Sequence, residues 1–240
     1  MPESPTFILN NHGMRLLILL ALAAFWQVDG FGQGSTTFLS DQVTGNVYRP
    51  SNRSDVEGNS LLFPDWVPGI IYLKDGRKSD KFLINLDAYS QEVLFQHEGN
   101  ALVVMDQVRE VQFKIYDQGK QTLAVFRNGF LSVDKNLEST FYQVLEEGPV
   151  TLLKLTRKIV TEKTEYNQPV VKAFETTEAY YLVKDGKAPM KFNRSRKGLI
   201  DAIGDSNGKF MSWVEKQGLK CKNDEEMKAV VKAYNEGKYE

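Results

Sequence analysis

Apolar and polar residues alternate with a period of two over much of the chain between residues 36 and 193. In the clearest case, Val111, Phe113 and Ile115 are separated by polar residues. This spacing places apolar side chains on one face of a strand and leaves the other face to solvent. The segment 82–86 repeats the pattern. We therefore predict a region of mainly antiparallel β structure.

Turn sequences separate these segments roughly every 10 to 20 residues, which favours hairpins over longer crossover connections. The turns are Asp75-Gly76, Glu98-Gly99-Asn100, Gln118-Gly119, Asn128-Gly129 and Asp185-Gly186. Two longer segments, 150–160 and 170–183, predict a hairpin whose polar tip, residues 161–169, we expect to be mobile. A meander or curved sheet is the predicted arrangement.

The hydrophobic period changes to that of helices near the end of the chain. Three helical stripes follow: Leu199, Ile200 and Ile203; Phe210, Trp213 and Val214; Met227, Val230, Val231 and Tyr234. Asn223 with Glu226 predicts the N-cap of the last helix and its capping partner. Helices this short need a surface to pack on. The predicted fold is therefore α+β, with a C-terminal helical segment packed on the sheet.

A hydrophobic leader precedes this region. Met14 and Arg15 are followed by eleven apolar residues from Leu16 to Trp26, and then by Gly30 and Gly32. This is the pattern of a secretory signal peptide, with cleavage expected before residue 33. The apolar run is shorter than the ~20 residues of a membrane-spanning helix.

The leader also divides the chain into its predicted parts. Residues 1–32 form an N-terminal extension and signal peptide, with Met14 as the start; a longer polar n-region from residue 1 and an uncleaved anchor are the alternatives. Residues 33–240 form one mature domain, which is β-rich over 36–193 and helical over 195–236.

Charge and cysteine content narrow the class of protein. The whole chain has a net charge of −1. The first 32 of its 240 residues carry Glu3, Arg15 and Asp29, so the 208-residue mature chain is neutral. A neutral chain argues against binding to nucleic acid. Cys221 is the only cysteine, so it forms either part of the apolar core or a disulfide between chains.

Several segments share a recognisable pattern: Gly58-Asn59-Ser60, Trp66, 69–76, 83–91 (which begins Leu83-Ile84-Asn85-Leu86-Asp87-Ala88-Tyr89), 108–113 and 141–153. Together these segments resemble a group of uncharacterised exported proteins of the Bacteroidetes bacteria. They span most of the mature chain, and they consist of turns and core positions. The resemblance implies export in a Gram-negative cell and implies no activity.

Catalytic residue types are scarce. His97 is the only histidine after the leader, and it adjoins a predicted turn, where a solvated histidine is common. One histidine and one cysteine do not make a zinc site. Residues 205–208 resemble part of a calcium loop, but the first and twelfth positions would be Ile203 and Val214, which carry no oxygen ligand. We assign no catalytic, cofactor or metal residues.

The densest charged segment has no acidic residue between Asp185 and Asp201. Its basic residues are Lys187, Lys191, Arg194, Arg196 and Lys197. They form either a patch for an anionic partner, protein or lipid, or a solvated junction between the sheet and the helices.

The leading functional hypothesis is a non-catalytic binding or scaffolding protein of the periplasm or outer membrane, not integral to the membrane after cleavage, with an unknown protein or lipid partner. One alternative is a carrier of lipids or apolar ligands built on strand aromatics: Tyr89, Phe95, Phe113, Tyr116, Phe126, Phe141, Tyr142, Tyr180 and Tyr181. Another is a hydrolase with two carboxylates converging in one cleft.

Cleavage of the leader is directly measurable. When the full chain is expressed in a Gram-negative host, we expect the intact mass of the exported protein to begin at Gln33, because the small residues at 30 and 32 meet the signal-peptidase requirement. A mass that still includes residues 16–26 would contradict this prediction.

Overall fold

Fourteen residue pairs join two long strands, Val150–Lys163 and Val171–Lys184, into an antiparallel hairpin. This confirms the hairpin predicted from the sequence. The structure is a computed structural model that describes residues 46–49, 55–117, 119–164, 170–206 and 208–239. The predicted leader and part of the predicted mobile tip, residues 165–169, lie outside the described residues.

Within those ranges the structure has thirteen strands and three helices that follow them. The strands are β1 (Asn46–Val47), β2 (Val56–Glu57), β3 (Val67–Leu73), β4 (Lys78–Ser79), β5 (Leu83–Asp87), β6 (Glu92–His97), β7 (Asn100–Val103), β8 (Val108–Asp117), β9 (Lys120–Arg127), β10 (Tyr142–Glu146), β11 (Val150–Lys163), β12 (Val171–Lys184) and β13 (Met190–Phe192). The helices are α1 (Arg196–Ile203), α2 (Lys209–Lys216) and α3 (Asp224–Asn235). The α+β class, dominated by strands and ending in helices, is confirmed.

The strand order is β1-β7-β6-β5-β3-β8-β9-β10-β11-β12-β13. Strands β8 to β13 follow one another as neighbours, as in a meander. Strands β5, β6 and β7 instead extend the sheet on the other side of β3, where β5 pairs with β3, β6 with β5 and β7 with β6. Strand β2 pairs in parallel with β12. The topology is therefore not a simple meander, and this part of the prediction is wrong.

The departure arises at β3, which belongs to two ladders. Val67 and Pro68 pair with β5, whereas the strand from Gly69 to Leu73 pairs with β8. A Cβ atom on Gly69 would overlap the side chain of Ile84 and come within 2.6 Å of the Gln112 carbonyl oxygen. Glycine at this position lets β5 approach β3 closely.

One face of the sheet carries two apolar clusters. Paired residues on successive strands from β9 to β13 define this face, because side chains directly opposite each other point the same way. They are Phe126, Gln143, Lys154, Tyr180 and Phe192. Strands β5 and β6 cover one end of it, and the three helices cover the other.

The cluster under the helices includes Leu152, Leu182, Leu199, Ile203, Phe210, Val214, Cys221, Met227, Val230 and Val231, all less than 2% exposed. We call this face of the sheet the helix side.

Residues 128–141 cover part of the opposite face, which we call the loop side. Their side chains pack on a third cluster that includes Tyr142, Leu153, Leu155 and Tyr181. The sequence predicts a tight hairpin at Asn128-Gly129, but this whole segment separates β9 from β10, which still pair with each other. The prediction of a tight turn there is therefore wrong.

At the start of α3 the predicted N-cap is confirmed, whereas the prediction that Glu226 is its capping partner is wrong. The Asn223 side chain accepts a hydrogen bond from the Glu226 backbone N–H at 2.8 Å, which confirms the N-cap of α3. The Glu226 carboxylate binds the backbone N–H groups of Lys220 and Lys222, at 3.2 and 3.1 Å. The Glu226 carboxylate therefore stabilises the loop before α3 and does not bind the backbone N–H of Asn223.

Strand β5 breaks the rule that polar side chains face solvent. Asp87 is 1% exposed, and its carboxylate accepts four hydrogen bonds. The donors are the hydroxyls of Tyr48 and Ser60, at 2.7 and 2.8 Å, and the backbone N–H groups of Tyr89 and Ser90, at 2.8 and 3.0 Å. Asp87 thus ties the segments before β3 to the turn after β5.

Removing this carboxylate tests its structural role. We expect Asp87→Ala to lower the free energy of unfolding by about 3 kcal/mol or more, because several donors lose their buried acceptor. Urea denaturation measures the change. The half-exposed Asp106 provides the control, and Asp106→Ala should leave the stability close to that of the parent. A loss of less than about 1 kcal/mol for Asp87→Ala would contradict the assignment.

Candidate functional site

Strand β12 has an incomplete edge. On one side it pairs with β11 over its whole length. On the other side β2 pairs with it at Lys172 and Ala173, and β13 pairs with it at 180–182. Residues 176–178, between these contacts, are exposed. No described strand pairs with them on this side, and we call this stretch the β12 gap.

A cleft of about 340 Å³ lies on the loop side of the gap. Its lining includes Asp134, Lys135, Asn136, Arg157, Thr177, Tyr181 and Lys191. Thr177 lies opposite Arg157, and Tyr181 lies opposite Lys191. Pairing across three strands therefore brings these side chains together, and the tip of the 128–141 segment closes the wall. We call this the loop-side cleft.

Arg157 is the most informative side chain in this cleft. Its Nε atom is buried without a hydrogen-bond partner, and its Nη2 atom donates a long bond of 3.4 Å to Thr140 Oγ1. Among the described residues, no carboxylate forms an ion pair with it. A guanidinium group normally satisfies its donors with carboxylate or phosphate oxygens. Within the described part of the chain, Arg157 thus adds a positive charge without a carboxylate partner to the wall of this cleft.

The wall above Arg157 is held in an uncommon conformation. Asp134 and Lys135 have φ angles of 49° and 67°, in the left-handed region that favours glycine. They form a two-residue turn closed by the Asn136 N–H, which donates to the Val133 carbonyl at 2.7 Å. The Asn136 amide also donates to the Tyr181 hydroxyl at 3.2 Å. Positive φ angles at both central residues are the geometry that a two-residue type I′ hairpin turn requires.

A second cleft, of about 590 Å³, lies on the helix side of the same gap. Its lining includes Thr176, Glu178, Tyr180, Lys191, Asn193 and Arg194. We call it the helix-side cleft. Thr176 and Glu178 face it, whereas Thr177 faces the loop-side cleft, because side chains alternate along a strand. The two clefts thus flank one stretch of backbone.

Ion pairs fix the floor of the helix-side cleft. Lys154 Nζ lies 2.7 Å from Glu178 Oε1 and 3.0 Å from Asp224 Oδ2. The Tyr180 hydroxyl donates to Asp224 Oδ1 at 2.7 Å, and the Arg194 guanidinium lies over the Tyr180 ring. Asp224 is the first residue of α3, where the helix dipole favours a negative charge. The network joins the helix to the sheet.

Burial and hydrogen bonding act in opposite directions on Lys154. Burial lowers the pKa of its ammonium group, but hydrogen bonds to Glu178 and Asp224 outweigh this effect and raise the pKa above its ordinary value. Burial, followed by the hydrogen bond to Asp224, raises the pKa of Tyr180. Both groups therefore keep their protons, as suits a structural network more than a nucleophile or base.

The five basic residues singled out by the sequence fall into three groups. Lys191 and Arg194 line the helix-side cleft together, and Lys191 also reaches the loop-side cleft. Arg196 instead donates to the Leu219 carbonyl at 2.6 Å and pairs with Glu215. Lys187 and Lys197 are exposed in the turn after β12 and at the start of α1. Arg196 thus has a structural role at the junction of sheet and helices.

The other candidate groups have ordinary roles. His97 is half-exposed beside Phe82 and Glu98. Asp205 accepts a hydrogen bond from the Met211 N–H and so stabilises the start of α2. Cys221 is fully buried, and burial raises the pKa of its thiol to about 11. Among the described residues, no group of three His, Cys, Asp or Glu side chains is placed to hold a metal ion.

Sequence reasoning missed Arg157 and the turn at Asp134-Lys135. Arg157 lies in a predicted strand, where an arginine gives no signal of its own. Whether its guanidinium has a carboxylate partner depends on residues that only the tertiary structure brings near it. The turn contains neither glycine nor asparagine at its two central positions, so it lacks the usual signal. The long interval between the end of β9 and the start of β10 is the only trace of it in the sequence.

Comparison with known protein families, characterised proteins and solved structures finds no match to this chain.

Within the described part of the chain, no helix is both long enough and apolar enough to cross a membrane.

Proposed function

We propose that this is an exported, non-catalytic binding protein of the periplasm or outer membrane, and that its partner presents anionic groups to the two clefts beside β12. The observation that carries the proposal is the Arg157 guanidinium, which lines the loop-side cleft and has no carboxylate partner among the described residues. A guanidinium group on a cleft wall that is not engaged in an ion pair favours an anionic ligand, because carboxylate and phosphate oxygens are its strongest acceptors.

The charges around the clefts support an anionic partner. Four cations line them, namely Lys135, Arg157, Lys191 and Arg194, against the two acids Asp134 and Glu178. Glu178 is already paired with the ammonium group of Lys154 at 2.7 Å, and its second carboxylate oxygen lies 3.8 Å from Arg194 Nη1. Even with Arg194 counted as partly neutralised, the cations Lys135, Arg157 and Lys191 outnumber Asp134. The local field therefore favours negative ligands, although the mature chain as a whole is neutral. The hydrophobic leader and the Bacteroidetes resemblance support export.

The alternative functions receive less support. Seven of the nine strand aromatics are at most 4% exposed and pack in the three apolar clusters: Phe95, Phe113, Phe126, Phe141, Tyr142, Tyr180 and Tyr181. They are therefore occupied by contacts within the protein. Two carboxylates do converge, Glu178 and Asp224, but Lys154 lies between them. Both carboxylates are therefore engaged by the same ammonium group in a network that joins the helix to the sheet, which leaves no open space between them for a substrate.

Two matched double variants test the site. A suitable probe is a fluorescein-labelled peptide with the sequence Thr-Val-Thr-Glu-Glu-Thr-Val-Thr, and fluorescence anisotropy measures its affinity. We expect Lys191→Gln with Arg194→Gln to weaken binding at least about tenfold, because each charge-assisted contact contributes about 1.5–3 kcal/mol.

The control is Lys187→Gln with Lys197→Gln, which removes the same charge from exposed positions outside the residues that line the clefts. We expect it to bind within about twofold of the parent. Equal losses in the two double variants would show that binding follows net charge alone and would overturn the assignment of the site. Thermal unfolding of each variant verifies that the fold is intact.

A further inference from the structure

Resting on the proposed function, we infer that the partner binds as an extended acidic segment of a protein, which adds to β12 as a further strand across the gap. The geometry combines three features: an open strand edge, a cleft on each face of the sheet at that edge, and an excess of cations in both clefts. When a strand is added to a sheet, backbone hydrogen bonds to the open edge supply affinity. The clefts and their charges select the side chains and so supply specificity.

The edge has room for a short strand. Ala173 is the last residue of β12 to pair with β2, and Tyr180 is the first to pair with β13. About 23 Å of strand separates them, at roughly 3.3 Å per residue. Gly58, with a φ angle of 84°, follows β2 beside Phe174 and turns the chain away from β12. At the other end, Ser195 is the N-cap of α1, so the chain enters the helix shortly after β13 and no longer follows β12.

The residues of the gap favour pairing. Natural sheet edges are commonly protected by proline, by charged side chains (above all lysine) or by very short length. The gap has neither proline nor lysine: it consists of Thr176 and Thr177, β-branched residues with high strand propensity, and of Glu178, whose carboxylate is already paired with Lys154. The neighbouring strand β11 pairs with this stretch without a break, with Arg157 opposite Thr177. The backbone is thus preorganised as a template.

The two clefts specify what the added strand carries. Successive side chains of a strand point to opposite faces. One acidic side chain would reach Arg157 and Lys135 in the loop-side cleft, and the next would reach Arg194 in the helix-side cleft. Lys191 lines both clefts. It would therefore lie between the two acidic side chains of the added strand. A pair of adjacent acidic residues within a β-branched segment is therefore the predicted recognition element.

The test uses the full mature chain and the octapeptide probe, followed by NMR measurement of backbone hydrogen exchange. We expect saturating peptide to slow exchange at least about tenfold in those amides of residues 176–178 that point away from β11, since added backbone hydrogen bonds protect amides from solvent. Amides near Tyr116, at the far end of the β8–β9 hairpin, should be unaffected and serve as the internal control.

Two N-methylated peptides separate strand addition from charge attraction. Methyl groups on both glutamate amides remove donors in either register while keeping the charge. We expect this peptide to bind at least about tenfold more weakly than the parent. Methyl groups on the two terminal residues are the matched control and should change the affinity by less than about threefold.

Each contrary result has a defined meaning. If both methylated peptides bind like the parent and no amide is protected, strand addition is overturned while the anionic site stands. If phosphatidylglycerol vesicles bind and the peptide does not, a lipid surface replaces the peptide and the inference falls. If protection of 176–178 appears without peptide and rises with protein concentration, a second copy of the chain is the occupant. If no anionic probe binds, the proposed function falls as well.

Discussion

The register of the β11–β12 hairpin is the constraint on which the rest of the structure depends. Because side chains alternate along each strand, a shift of one residue would exchange the two faces of the sheet. In the observed register, Leu152 and Tyr180 reach the helices, while Leu153 and Tyr181 reach the 128–141 segment. Burial on both faces thus fixes one register. The same register brings Arg157 beside Thr177 at the open edge.

The candidate site lies at the edge of this hairpin, where part of β12 has no neighbouring strand among the described residues. Strands β2 and β13 each pair with β12 over two or three residues and then leave it. Between them, backbone and charged side chains meet solvent together. The Lys154 network secures the helix-side floor, and the Asp134-Lys135 turn secures the loop-side wall. In the proposed function, walls that are already ordered on both sides of this edge would limit the entropy lost when a partner binds.

Local patterns in the sequence predicted the elements that local physics determines. The long hairpin, the three helices and the Asn223 cap follow from hydrophobic period and capping chemistry, and all are present. The path through β3 was not predictable, because it depends on the contact between Gly69 and Ile84 after folding. The basic segment was only partly informative. Nearness in sequence grouped Arg196 with Lys191, although the fold engages Arg196 with Leu219 and places Lys191 at the edge.

On this interpretation, Arg157 serves a partner outside the chain. The free energy of unfolding of Arg157→Met tests this best, because methionine keeps an unbranched apolar stem and removes every donor of the guanidinium. We expect this variant to be as stable as the parent or more stable, by up to about 1–3 kcal/mol, because an unsatisfied buried donor is lost. It should also lose affinity for the acidic probe. A variant clearly less stable than the parent would contradict the account, because it would show that Arg157 serves the fold itself.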